Sequence, residues 1–157
     1  MKTLERGVLA GYPILNVKAV LFDGSFHAVD SSDMAFQTCA SMAFRQGFMK
    51  ADPVLLEPVM KIEINVPDDY IGNVVGDLNK RRGKIESMRR HRKGSQKVNG
   101  TVPLMEMFGY ATTLRNISSG RANYSMEFFK YMPVGKTLQE EIIKKVEEKK
   151  REEQKKY

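Results

Sequence analysis

The stretch Val59–Gly83, VMKIEINVPDDYIGNVVGDLNKRRG, decides the fold. Met60, Ile62, Ile64 and Val66 alternate with Lys61, Glu63 and Asn65. A period of two turns one row of side chains to a core and the other to water, so the spacing predicts a half-buried strand. Pro67, Asp68 and Asp69 then open a helix, since proline tolerates the first turn and carboxylates favour its positive end. Ile71, Val74, Val75 and Leu78 follow at i, i+3, i+4 and i+7, which is one apolar helix face. Lys80, Arg81 and Arg82 fall in the last turn, where cations complement the dipole, and Gly83 is the expected C′ residue.

Reading toward the C-terminus, a strand is expected from about Lys84 to Arg90, a polar tip through Gly94-Ser95, and a strand from about Lys97 to Val102. Pro103 opens a second helical stretch whose core face is expected to be Leu104, Met107, Phe108, Ala111 and Leu114. Ser118-Ser119-Gly120 breaks it, and Ala122–Met132 forms a last strand with Tyr124, Met126 and Phe128 on one face. The order β-α-β-β-α-β is the ferredoxin-like split arrangement, so the fold class is α+β. The tail, residues 136–157, is about half Lys and Glu. Thr137 with Glu140 reads as a capping box for a charged helix. Leu138, Ile142 and Val146 give it a thin apolar stripe, so it should dock along its first half only and fray afterwards, with nothing apolar again until Tyr157.

Toward the N-terminus, Leu15, Val17, Ala19 and Leu21 alternate, which predicts a strand over Pro13–Asp23. Asp23-Gly24-Ser25-Phe26-His27 is a turn-type break, and Phe26–Val29 is expected to return as a short strand. Asp30-Ser31-Ser32-Asp33 supplies an N-cap and first-turn carboxylates for a helix. Phe36, Ala40, Ala43 and Phe44 stripe that helix, which should end before Pro53.

With 157 residues the chain suits one ordinary domain or two small ones. No run of roughly 18 apolar residues is present, so no membrane span is expected, and Met1–Gly11 lacks a secretory h-region. A cytoplasmic location is the expectation, and the Asn116 and Asn123 glycosylation triplets then match by chance. Cys39 is the one cysteine; set in an apolar helical stretch, it is expected as a buried structural thiol. The net charge of +7 is unevenly spread: residues 58–135 carry 13 Lys/Arg against 7 Asp/Glu, but residues 1–57 carry 5 against 6. Between Lys80 and Lys97 nine cations are opposed only by Glu86. On charge alone this is either solvated surface or a polyanion-binding face.

Chemistry is sparse. Gly135-Lys136-Thr137 sits between a strand and a helix, but the phosphate loop needs a first glycine five residues before the second, and Lys130 stands there. A linker glycine and a threonine N-cap remain. His27 and His91 are the only histidines and have no neighbour at metal-ligand spacing. His27 on a turn tip is either inert surface or a group that hydrogen-bonds or stacks on nucleotide bases.

Several blocks resemble one family: GVLAGYP at Gly7–Pro13, DGSFHAVDSSDMAF at Asp23–Phe36 and PVLLEPVMKIEI at Pro53–Ile64. GDLNKRRGKI at Gly76–Ile85, PLMEMFGYATTLR at Pro103–Arg115 and SGRANYSMEF at Ser119–Phe128 continue it. Together they are similar to the C-terminal quarter of elongation factor G, the ribosomal translocase. The resemblance implies three parts. Residues 1–57 would be the second half of the fourth domain, a partial ribosomal-protein-S5-like βα segment, and residues 58–135 the ferredoxin-like fifth domain; residues 136–157 form the charged helix. It implies that Asp23, Gly24, Ser25 and His27 form a tip that touches tRNA and mRNA in the decoding site. It also implies that Arg81, Arg82, Phe108, Gly109, Tyr110, Arg115 and Arg121 face ribosomal RNA near the sarcin–ricin loop and the stalk-base proteins. On this reading no cofactor belongs to this chain, because GTP and Mg would sit in the parent protein's G domain; the chain itself is not expected to be an enzyme. Residues 58–135 are expected to fold independently, with residues 1–57 only marginally stable. The alternatives are a paralogous ribosomal GTPase used in recycling or ribosome protection, and a ferredoxin-like regulatory module that binds a small ligand. Within the family reading, the basic run from Lys80 to Lys97 serves as supporting field.

Overall fold

The alternation of Met60–Val66 forms a strand, as its period requires. The computed structural model describes residues 2–155. Met1, Lys156 and Tyr157, which the expected first and last segments include, lie outside the described residues. In chain order the elements are α1 (Lys2–Glu5), α2 (Asp33–Lys50), β1 (Leu56–Pro67), α3 (Ile71–Lys80), β2 (Lys84–Arg92), β3 (Ser95–Pro103), α4 (Tyr110–Ile117), β4 (Asn123–Pro133) and α5 (Lys136–Gln154). Short 3-10 turns at Asp68–Tyr70 and Leu104–Met107 lead into α3 and α4. Two compact units result: Leu56–Pro133, and the residues up to Leu55 together with those from Val134 on.

In the Leu56–Pro133 unit the sheet is antiparallel with order β2-β3-β1-β4, the ferredoxin-like arrangement. The registers Ile62↔Gly100 and Ile64↔Val98 against β3, and Ile62↔Met126 and Ile64↔Tyr124 against β4, align one apolar row across three strands. Ile62, Ile64 and Val66 meet Val74, Leu78, Val98, Val102, Met107, Tyr110 and Leu114 in a single buried cluster. Each fully buried aliphatic side chain there contributes roughly 1.5–3 kcal/mol of transfer free energy. The outer row is polar: Glu63 pairs with Lys97 Nζ at 2.8 Å, and Asn65 Nδ2 donates to Asn123 Oδ1 at 3.1 Å.

Two local expectations in this unit are corrected. The left-handed residue after α3 is Arg82 (φ 58°), not Gly83. Gly83 N–H donates to Leu78 O at 2.8 Å and Arg82 N–H to Asn79 O at 3.2 Å, the paired bonds of a Schellman close. Gly83 is still needed, because a Cβ there would lie 2.8 Å from Leu78 O. The second correction concerns α4. Tyr110 and Leu114 are its buried residues, with Met107 buried in the turn before it, whereas Phe108 is 80% exposed and Ala111 is exposed. Gly109 (φ 73°) separates the 3-10 turn from the helix, so one uninterrupted helical phase fails across it.

In the other unit α2 forms over the expected span, and Ser32 Oγ accepts from Ala35 N–H at 3.2 Å as the N-cap. The Pro13–Asp23 and Phe26–Val29 strands do not form. Among the described residues no strand lies beside them, so their amides have no ladder to join; Ile14 N–H bonds instead to Leu4 O at 2.8 Å. For the same lack of a covering layer, α2 buries none of its residues, and Cys39 is exposed rather than buried. The core of this unit is small: Ala10, Leu55 and Val134, packed by Leu9, Leu138, Ile142, Ile143 and Val146. The docking stripe of α5 is therefore the expected one. Its capping box is not formed: Gly135 is the N-cap, with no side-chain cap bond, and Thr137 lies inside the first turn. Gln139 Oε1 instead accepts from Leu55 N–H at 2.8 Å. Among the described residues no helix is long and apolar enough to cross a membrane.

Candidate nucleic-acid interface

Two groups of candidate residues lie in different units, and each is built by its own local structure. The first is the turn at Asp23–His27. Asp23 Oδ1 accepts from Gly24 N–H at 2.7 Å, a local bond that an aspartate offers readily at a turn. His27 N–H donates to Ser31 Oγ at 2.9 Å, and His27 O accepts from Ser31 N–H at 3.2 Å. The loop is thus closed by backbone and hydroxyl groups. Asp23, Gly24, Ser25 and His27 are all exposed, with Phe26 70% exposed among them. No hydrogen bond among the described residues engages the His27 imidazole. The tip presents one aromatic ring and one imidazole to solvent.

The second group surrounds α4. Arg81 and Arg82 follow α3 directly and are both engaged internally. Arg81 Nε pairs with Asp77 at 2.8 Å, one helical turn back, and its other nitrogens reach Glu106 O and Thr113 Oγ1. Arg82 grips Glu57 with both terminal nitrogens, at 2.8 and 2.9 Å, and Glu106 with Nε at 2.9 Å. Hydrogen bonding to Glu57 raises the Arg82 pKa above its ordinary value, against an opposing effect of burial. These guanidiniums tie α3, β1 and the Leu104–Met107 turn into one rigid corner.

Tyr110 is core. Its ring is fully buried, meets Tyr124 edge-on at 4.9 Å and carries the Arg81 guanidinium 5.1 Å from its centroid. Its hydroxyl has no hydrogen-bond partner among the described residues, and desolvation raises its pKa. The expected surface contact by Tyr110 is therefore corrected: the ring belongs to the core, unlike its neighbours among the candidate residues. Those neighbours are exposed: Phe108, Gly109, Arg115 and Arg121. Arg115 and Arg121 bracket the Ser118–Gly120 turn. Gly120 N–H donates to Arg115 O at 2.8 Å, and Arg121 N–H to Ser118 O at 3.0 Å. Buried Ser118 holds the turn, donating to Leu114 O at 2.6 Å and accepting from Ala122 N–H at 3.1 Å.

Sequence reasoning missed Glu57, Glu106, Thr113 and Ser118 as the groups that set this surface. Only Asp77–Arg81 carried a signal, the i,i+4 spacing of a helical ion pair. Among the described residues no group of three or more His, Cys, Asp or Glu could hold a metal ion. What this unit offers, beside an internally paired corner at Arg81 and Arg82, are exposed guanidiniums at Arg115 and Arg121 and an exposed ring at Phe108, groups suited to phosphate and base contact.

Residues 54–142 match the family described as elongation factor G C-terminus, and residues 1–52 match elongation factor G, domain IV. The chain belongs to the elongation factor G family. A solved structure from Thermus thermophilus superposes with a TM-score of 0.81 at 37% identity over 94% of this chain. The chain spans 22% of that protein's length. The sheet of Leu56–Pro133 falls within the elongation factor G C-terminal match, and the Asp23–His27 tip within the domain IV match. What this chain carries is therefore elongation factor G domain IV and C-terminus sequence.

Proposed function

We propose that this chain is the ribosome-contacting C-terminal part of an elongation factor G, which promotes GTP-dependent translocation of tRNA and mRNA during protein synthesis in the cytoplasm. One observation carries the reading: both family matches fall in chain order, and each contains an exposed cluster whose side chains have no ion pair among the described residues, at His27 and at Arg115 with Arg121. The mechanism is steric and electrostatic. Hydrolysis in the parent protein's G domain drives the movement, and the Asp23–His27 tip acts as a wedge that holds the tRNA end against backward slip. Phe108, Arg115 and Arg121 anchor the Leu56–Pro133 unit on structured RNA of the large subunit, in the sarcin–ricin loop and stalk-base region, reading shape and phosphate. Arg81, Arg82 and Tyr110 hold those residues in place. The test is His27→Ala in a full-length factor that carries residues 1–133 of this chain. The expected result is slower translocation with unchanged GTP hydrolysis. Equal losses in both would refute a tip role.

A further inference from the structure

Resting on that reading, we propose that the β2–β3 hairpin tip is a separate RNA-phosphate contact, held by Arg89, Arg90 and Arg92. Five consecutive residues there, Arg89-Arg90-His91-Arg92-Lys93, are exposed, and no ion pair among the described residues involves them. The register sets Arg89 directly opposite Lys97, a like-charge cross-strand pair that destabilises a hairpin. Lys97 is relieved by Glu63 at 2.8 Å, which leaves the Arg89 charge uncompensated. Arg90 stands opposite Gln96, on the other face of the ribbon from Arg89, and the register shifts between Arg90 and Arg92, around His91. Cations therefore project from both faces of the edge strand β2, beside β3, which β1 flanks as far as Ser95. The hairpin closes at Gly94 (φ 80°), whose carbonyl accepts from Asp68 N–H at 3.1 Å. A local rule broken without an internal compensation marks a place where function supplies the compensation.

Phosphate fits this chemistry best. Three of the four cations are arginines, whose planar forks bind phosphate oxygens bidentately. A membrane contact would want an apolar flank, and here only Met88, 52% exposed, adjoins the charges. RNA is also the polyanion that the proposed function brings within reach. The hairpin tip adds affinity without sequence reading, because phosphate contacts carry no base information.

The test measures binding of the 157-residue chain to purified large ribosomal subunits, and to their protein-free RNA, across a salt series. Compared are the wild type, a tip variant (Arg89→Gln, Arg90→Gln, Arg92→Gln), and a tail variant of equal net charge (Lys144→Gln, Lys145→Gln, Lys149→Gln). Each lost phosphate contact lowers the slope of log K against log salt by roughly 0.7–0.9. The tip variant should therefore fall short of the wild-type slope by about 2–3 on both targets, with the tail variant close to wild type. Amides of β2 should exchange no faster in the tip variant, because the substitutions relieve repulsion. An unchanged slope, an equal drop in the tail variant, or an effect lost on protein-free RNA would overturn the tip contact and leave the proposed function standing. Failure of the wild type to bind subunits at any salt would overturn both.

Discussion

Arg82 is where the corner joining α3, β1 and the Leu104–Met107 turn is most open to perturbation. Arg82→Ala removes a bidentate pair to Glu57 and a third bond to Glu106. The Glu57 side chain is only 10% exposed, so its carboxylate is left largely buried and unpaired. Breaking a fully buried pair from one side costs about 3–5 kcal/mol. The Arg82 side chain is 37% exposed, however, and solvent screening at that exposure brings the expected loss to about 2 kcal/mol. A second effect has the opposite sign. Arg82 holds φ 58°, a left-handed conformation that costs a side-chain-bearing residue about 1 kcal/mol and glycine almost nothing. Arg82→Gly should therefore lose the ion pairs but recover the strain, for a net loss of about 1 kcal/mol. The predicted order of stability is wild type, then Arg82→Gly, then Arg82→Ala. Amide exchange at Val74 and Leu78 reads the opening of this unit directly. Alanine within about 0.5 kcal/mol of wild type, or glycine below alanine, would refute the reasoning.

Three further outcomes follow from the same structure. Tyr110→Phe removes a buried hydroxyl that has no partner among the described residues and should stabilise the fold by up to about 1 kcal/mol in urea unfolding at neutral pH. Burial raises the Tyr110 pKa above its ordinary 10.0, so the folded state holds a proton that the unfolded state releases. That contribution is complete below pH 10 and lost as pH rises beyond it; wild type should lose more stability than Tyr110→Phe between about pH 9 and 11. Gly109→Ala forces a side chain into φ 73° at the start of α4 and should cost about 1–2 kcal/mol by thermal unfolding, although no atom crowds the added Cβ. Amides of Ile62–Val66 should exchange far more slowly than those of residues 12–29, which have no strand partner among the described residues.

The contrast between two similar patterns explains what the sequence could and could not reveal. Met60–Val66 and Leu15–Leu21 alternate equally well, yet only the first becomes a strand. Periodicity reports which face a segment would bury; a ladder also needs a neighbour, and only β1 has one on each side. The α3 face was legible because no break interrupts Ile71–Leu78, whereas the α4 face was misphased across Gly109, whose left-handed turn leaves no mark on an apolar count. Cys39 was misjudged for the same reason as α2: an apolar stripe predicts burial only when a layer covers it. At the candidate interface the exposed residues His27, Arg115 and Arg121 were found by family resemblance. The pairs that engage Arg81 and Arg82 were invisible apart from Asp77–Arg81, since Glu57 and Arg82 lie 25 residues apart and meet only through the fold. Charge density alone would have favoured these two arginines over Arg115 and Arg121.

The most direct test of the proposed function replaces the corresponding C-terminal part of a full-length elongation factor G with residues 1–157 of this chain and follows tRNA–mRNA movement on programmed ribosomes. A hybrid that translocates at a rate comparable to the parent, and loses that ability when residues 1–133 are deleted, is the predicted result. A hybrid that binds ribosomes and hydrolyses GTP normally but fails to move tRNA and mRNA would contradict the account.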